Sequence, residues 1–148
     1  KINKNLFNSG DAIEISIKSS RDSYLYIFNL MHDGNAQLIF PNKYMENNFL
    51  KNGEIVQIPN SSFDDNISFS VQSSPNLEIT TESMYIVCTK ERVKTIERLR
   101  SISDKMLTLS KESKDFLIIQ KWLAMIPLDQ RVEKNLVYHI IAKNVDRK

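Results

Sequence analysis

Apolar positions recur with period two through most of residues 13–89, and the spacing turns helical after residue 91. The densest run is residues 22–42. There Tyr24, Tyr26, Phe28 and Leu30 fall on one side of an extended chain and Leu25, Ile27 and Met31 on the other, because side chains alternate across a strand. A strand that is apolar on both sides needs cover on both sides. Asp33-Gly34 follows, a pair suited to a two-residue type I′ turn with positive φ at both central positions. Residues 36–40 then read as the returning strand, which Pro41 ends because it has no N–H for a ladder. The organising element expected is an antiparallel hairpin over residues 24–40.

Around it, residues 1–8 read as a frayed lead-in and Ser9-Gly10-Asp11 as a turn. Ile13, Ile15 and Ile17 alternate with Glu14, Ser16 and Lys18, the pattern of a strand with one wet face. The asparagine-rich stretch 42–52 suits a loop, residues 54–58 a short strand, and Ile67, Phe69 and Val71 a further half-exposed one. Residues 84–89 are apolar on both faces, which predicts a second central strand. Val93, Ile96 and Leu99 then recur at helical spacing, and after Ser103 as N-cap, Met106, Leu107 and Leu109 continue it. Residues 115–125 predict another helix, with Phe116, Ile119, Trp122 and Leu123 on one stripe and Trp122 as an anchor on the sheet. Residues 135–143 alternate again, as a closing strand.

Short strands at close intervals with helices gathered late predict a mainly β fold. The expectation is an antiparallel immunoglobulin-like β-sandwich with a two- to three-helix insertion before the last strand. All of residues 1–148 then form one domain, with 9–90 and 135–143 as the sandwich and 91–126 as the helical insertion.

Composition narrows the function more than the fold. Net charge is +2, from 20 Lys and Arg against 18 Asp and Glu, so no strong electrostatic case exists for nucleic acid. The lone Cys88 cannot make an internal disulfide and reads as a small buried hydrophobe. No apolar run reaches the roughly 18–20 residues that a membrane span needs. The chain opens at Lys1 rather than a methionine, which leaves room for a lipid anchor upstream.

Candidate chemistry is sparse. Phosphate-loop, dinucleotide, zinc-protease and nucleophile-elbow motifs are all missing from the sequence. His32 reads as solvated beside its turn, His139 as a strand residue with a wet edge, and no carboxylate or thiolate is spaced to join them at a metal. Asp64-Asp65-Asn66 and Asp11 read as turn residues in preference to a calcium cluster or an acid catalyst. No catalytic residue, metal or cofactor is expected. Arg92, Lys94, Arg98 and Arg100 read as a solvated helix face. The best site is the loop 42–52, where Asn42, Tyr44, Asn47 and Asn48 offer amides and a ring face to a peptide or glycan, or tie the loop to itself.

The ordered set Gly10-Asp11, Tyr24-Leu25-Tyr26, Asp33-Gly34, Leu38 to Asn42 (L-I-F-P-N), Asn48, Gly53-Glu54 and Ile58-Pro59 resembles the bacterial family called domain of unknown function 4384. The likeness is good over residues 9–60 and loose beyond 90. It implies a small immunoglobulin-like module of envelope lipoproteins, also found appended to kinases or caspase-like peptidases, with no assigned activity. The function expected is therefore a non-catalytic interaction or scaffold module of the bacterial cell envelope, periplasmic or surface-exposed, binding a protein or cell-wall partner. The alternative is a regulatory or substrate-docking domain of a larger enzyme.

Overall fold

The computed structural model describes residues 1–60, 68–101 and 107–143. Nine strands are assigned among them: β1 (Leu6–Asn8), β2 (Ile15–Lys18), β3 (Ser23–Leu30), β4 (Ala36–Phe40), β5 (Phe49–Leu50), β6 (Ile55–Ile58), β7 (Ile79–Thr89), β8 (Thr108–Leu109) and β9 (Arg131–Ile141). The helices are α1 (Lys94–Ser101) and α2 (Lys114–Met125), followed by a 3₁₀ turn at Leu128–Gln130. The fold is mainly β. Its large sheet runs β1-β9-β7-β3-β4-β8, with β5 beside the start of β3, and β2 pairs with β6 in a separate ribbon.

The period-two pattern of β3 has the consequence expected of it. Leu25 and Ile27 enter a core shared with Ile15 and Ile58 of the ribbon, while Tyr26 and Phe28 enter a second core with Ile96 and Leu99 of α1 and Ile119 and Leu123 of α2. The large sheet is thus covered by the ribbon on one face and by helices on the other. β7, longer than expected at eleven residues, pairs antiparallel with β3 on one side and β9 on the other. In β4 the register slips at a bulge, where Ile27 faces Phe40 and Phe28 faces Leu38. Ile39 is the extra residue, so both Ile39 and Phe40 reach the ribbon-side core.

Side chains anchor the helices to this sheet. The Val93 N–H donates to the buried Tyr26 hydroxyl at 2.8 Å, at the entry to α1. Ser113 caps α2 by accepting the Phe116 N–H at 3.1 Å. At the other end α2 has no basic residue in its last turn. Arg131 of β9 supplies the charge, donating to the carbonyls of Leu123 and Ile126, the latter at 2.8 Å. Its Nε lies 2.6 Å from the Glu133 carboxylate.

Several expectations are corrected. The hairpin is present, but its turn is not the two-residue type I′: Gly34 N–H donates to Met31 O and Met31 N–H to Asn35 O. That is a three-residue loop, with positive φ at Gly34 (+87°) and, among the described residues, at no non-glycine residue. Residues 6–8 are not frayed; they form β1, parallel to β9, because Phe7 packs edge-on against Tyr138 with ring centroids 5.7 Å apart. The sheet is therefore mixed rather than wholly antiparallel. Phe69 to Val71 are not a regular strand but bond irregularly to residues 10–13 around one bridge, Ala12 to Ser70. Leu107 and Leu109 do not continue a helix. Thr108 and Leu109 pair with Gln37 and Ala36, and Leu109 enters the helix-side core from a strand. Ile67, Ser103 and Met106 lie outside the described residues, as does Asp64-Asp65-Asn66.

Gly34 tests the turn. Valine there would meet both the positive φ and Lys111 Cδ at 3.1 Å from the new Cβ. The Gly34→Val variant is expected to lose about 1–2 kcal/mol in urea unfolding. An unchanged midpoint would contradict the turn assignment.

Candidate functional site

The loop after β4 is held by its own asparagines. Asn42, buried, donates from Nδ2 to Ile39 O at 2.8 Å and accepts the N–H groups of Tyr44 and Met45, both at 2.9 Å. Asn48, also buried, donates to Leu25 O at 3.1 Å and returns its carbonyl to the Leu25 N–H at 2.8 Å. Asn47 is exposed and accepts the Phe49 N–H at 3.1 Å. Tyr44 differs from these three: its ring is 53 % exposed, with Lys43 Nζ 4.7 Å from the centroid. The four residues share one loop, but two of them are committed to backbone that would otherwise be buried unpaired.

On the helix face, a cleft of about 340 Å³ is bordered by Phe28, Tyr85, Phe116, Gln120, Arg131 and Glu133. Burial, followed by the hydrogen bond and negative charge of Glu133, pushes the Tyr85 phenol up to about 12. Trp122 is corrected here. It is 46 % exposed and lines a smaller cleft, of about 240 Å³, with Arg92, Val93 and Met125. Arg131 anchors that end of α2 to the sheet instead, which leaves Ile118, Trp122 and Met125 as an exposed stripe. In the basic cluster, Arg92 lies 5.2 Å over the Tyr24 ring and 3.4 Å from Glu97, while Lys94 and Arg98 face solvent.

The remaining candidate is backbone. β9 pairs with β7 in unbroken register from Arg131 to Ile141, whereas β1 covers its outer side only at residues 139–141. The His139 N–H donates outward to Asn5 O, and Ile141 O accepts the Ser9 N–H; Gln130 O and the Ala142 N–H bond inward. Alternation along an antiparallel strand then directs the N–H and C=O of Glu133, Asn135 and Val137 outward. Among the described residues no partner strand lies along them. Val137, 51 % exposed, and Val132, 55 % exposed, flank this edge on opposite faces, with Lys134 between. Sequence periodicity finds the strand but not its position at an edge, which depends on how little of it β1 covers.

A family model described as domain of unknown function (DUF4384) matches residues 6–92, more than half of the chain. The chain belongs to this DUF4384 family. Neither a curated protein nor a solved structure matches it. The match spans β1 to β7 and stops before α1, so both helices and the open strand β9 lie beyond it. Within the match, the residues that carried the likeness serve the fold: Gly10, Gly34 and Gly53 take positive φ, and Asn42 and Asn48 bond backbone. No helix among the described residues is long and apolar enough to cross a membrane.

Two measurements check these roles. Asn48→Ala, which strands a buried carbonyl, is expected to cost about 1–3 kcal/mol in urea unfolding, whereas Tyr44→Ala stays within about 0.5 kcal/mol. The raised Tyr85 pKa means that, above the ordinary phenol value of 10, the unfolded chain releases a proton that the fold retains. Stability is therefore constant in this respect below pH 10 and falls as pH rises from 10 towards about 12. Tyr85→Phe should flatten that part of the alkaline unfolding curve.

Proposed function

We propose that the domain is a non-catalytic interaction module of a bacterial cell-envelope protein, taking up an extended segment of a protein partner along the open edge of β9. In this reading the β2–β6 ribbon and the large sheet are the two layers of an immunoglobulin-like sandwich, and a lipid anchor upstream holds the module at the membrane. The observation that carries it is the row of outward N–H and C=O groups on Glu133, Asn135 and Val137, which no described strand covers. Such a row is a template for an added strand, with main-chain bonds giving affinity and flanking side chains giving selectivity. Tyr44, on the loop 42–52, is the supplementary contact, through its exposed ring.

Asn135→Pro tests the edge directly. Proline removes the outward N–H at that position and leaves the inward ladder to β7 intact, a substitution that sheet edges tolerate. The partner captured from envelope extract by the wild type and by Asn135→Ala, which keeps the N–H, is expected to be lost by Asn135→Pro. Circular dichroism establishes that each variant is folded. Equal capture by all three would rule out the edge, and capture of nothing by a folded wild type would move the reading to a docking domain that acts only within a larger enzyme.

A further inference from the structure

On the ribbon face of the large sheet lies a cavity of about 310 Å³. Met31, Ile39, Phe69 and Met84 supply apolar wall, and Asn29, Glu82 and Tyr138 meet at one side of it. Glu82 shares its face of β7 with Met84 and Ile86, so period two directs its carboxylate inward, and its side chain is only 8 % exposed. Oε2 accepts two hydrogen bonds, from Asn29 Nδ2 and from the Tyr138 hydroxyl, each at 2.8 Å. The Tyr138 hydroxyl also lies 2.8 Å from Asn29 Oδ1. Both neighbours are uncharged. Among the described residues the basic side chain within 4 Å of the carboxylate is the His32 ring, ionic only when protonated, whose Nδ1 lies 3.9 Å from Oε1.

A buried carboxylate without a full positive charge beside it is costly, and interiors normally pair such a group or replace it with an apolar one. Here it is kept and oriented. Two donors fix Oε2, Oε1 lies 3.9 Å from His32 Nδ1, and Glu82 lines a cavity of the size that holds a small ligand, with apolar walls and a few converging polar groups. We propose that this cavity binds a small organic cation, a primary ammonium on a short apolar body, with Glu82 as its counter-ion. The ammonium donates to the Glu82 carboxylate, the body fills the space between Met31, Phe69 and Met84, and Asn29 and Tyr138 act as positioning residues that hold the carboxylate in place.

Three probes of nearly equal shape and different charge test this on the full chain: benzylammonium, benzyl alcohol and benzoate, each titrated into labelled protein and followed by amide chemical shifts. Benzylammonium is expected to give saturable shifts at Asn29, Glu82 and Met84, with the alcohol at least tenfold weaker and benzoate without effect. Glu82→Gln, which keeps the shape and loses the charge, should weaken benzylammonium at least tenfold while leaving the alcohol unchanged. The three-probe comparison on the wild type stands alone if that variant does not fold. No saturable shift with benzylammonium, or equal affinity for the alcohol, would overturn the proposal and leave a water-filled polar cavity.

Discussion

The antiparallel pairing of β3 with β7 is the constraint on which the rest of the molecule depends. β3 and residues 84–88 of β7 are apolar on both faces, so neither face of the sheet can be left to water there, and two separate cores follow from one pair of strands. The ribbon closes one and the helices the other. Each cover is then fixed by specific polar contacts: Tyr26 receives the start of α1, Arg131 the end of α2, and Asn48 the return of the loop onto Leu25. Fully burying a side chain such as Phe28 or Ile27 contributes about 1.5–3 kcal/mol, so apolar burial supplies the drive and these bonds decide the arrangement.

Once both faces are covered, what remains open is the sheet's side. At one margin the two-residue β8 pairs with β4. At the other β9 runs eleven residues and β1 shields three. Sheets ordinarily blunt such edges with charge or cover, and Lys134 is the single lysine along this one. The family model ends at residue 92, so β1 to β7 lie within it and β9 beyond it.

Strands buried on both faces were the most legible part of the sequence, since composition and period both report them: β3 and β4 lie where residues 24–40 placed them, β7 contains residues 84–89 but begins at Ile79, and α2 follows its stripe to within a residue. Elements set by distant partners were not. β1 has one buried residue and becomes a strand only through β9, and β8 is drawn into extension by β4 although Leu107 and Leu109 also fit a helical spacing. Asp33-Gly34 signals a hairpin without fixing its loop length, because a glycine with positive φ serves both turn geometries. Trp122 shares the apolar stripe of α2, but it is 46 % exposed, and Arg131 bonds that end of the helix to the sheet. At the candidate sites, asparagines in a loop are equally able to bind a partner or their own backbone, and Asn42 and Asn48 do the latter. Glu82 could have been found as a carboxylate on the inward side of β7, had the strand been extended back to Ile79.

Amide hydrogen exchange along β9 in the isolated domain tests the central claim most directly. The Glu133, Asn135 and Val137 amides should exchange quickly, while those of Val132, Lys134 and Leu136, turned inward to β7, are protected by orders of magnitude. Equal protection of both sets would mean that the edge is already covered, and the account of β9 as a recognition surface would be wrong.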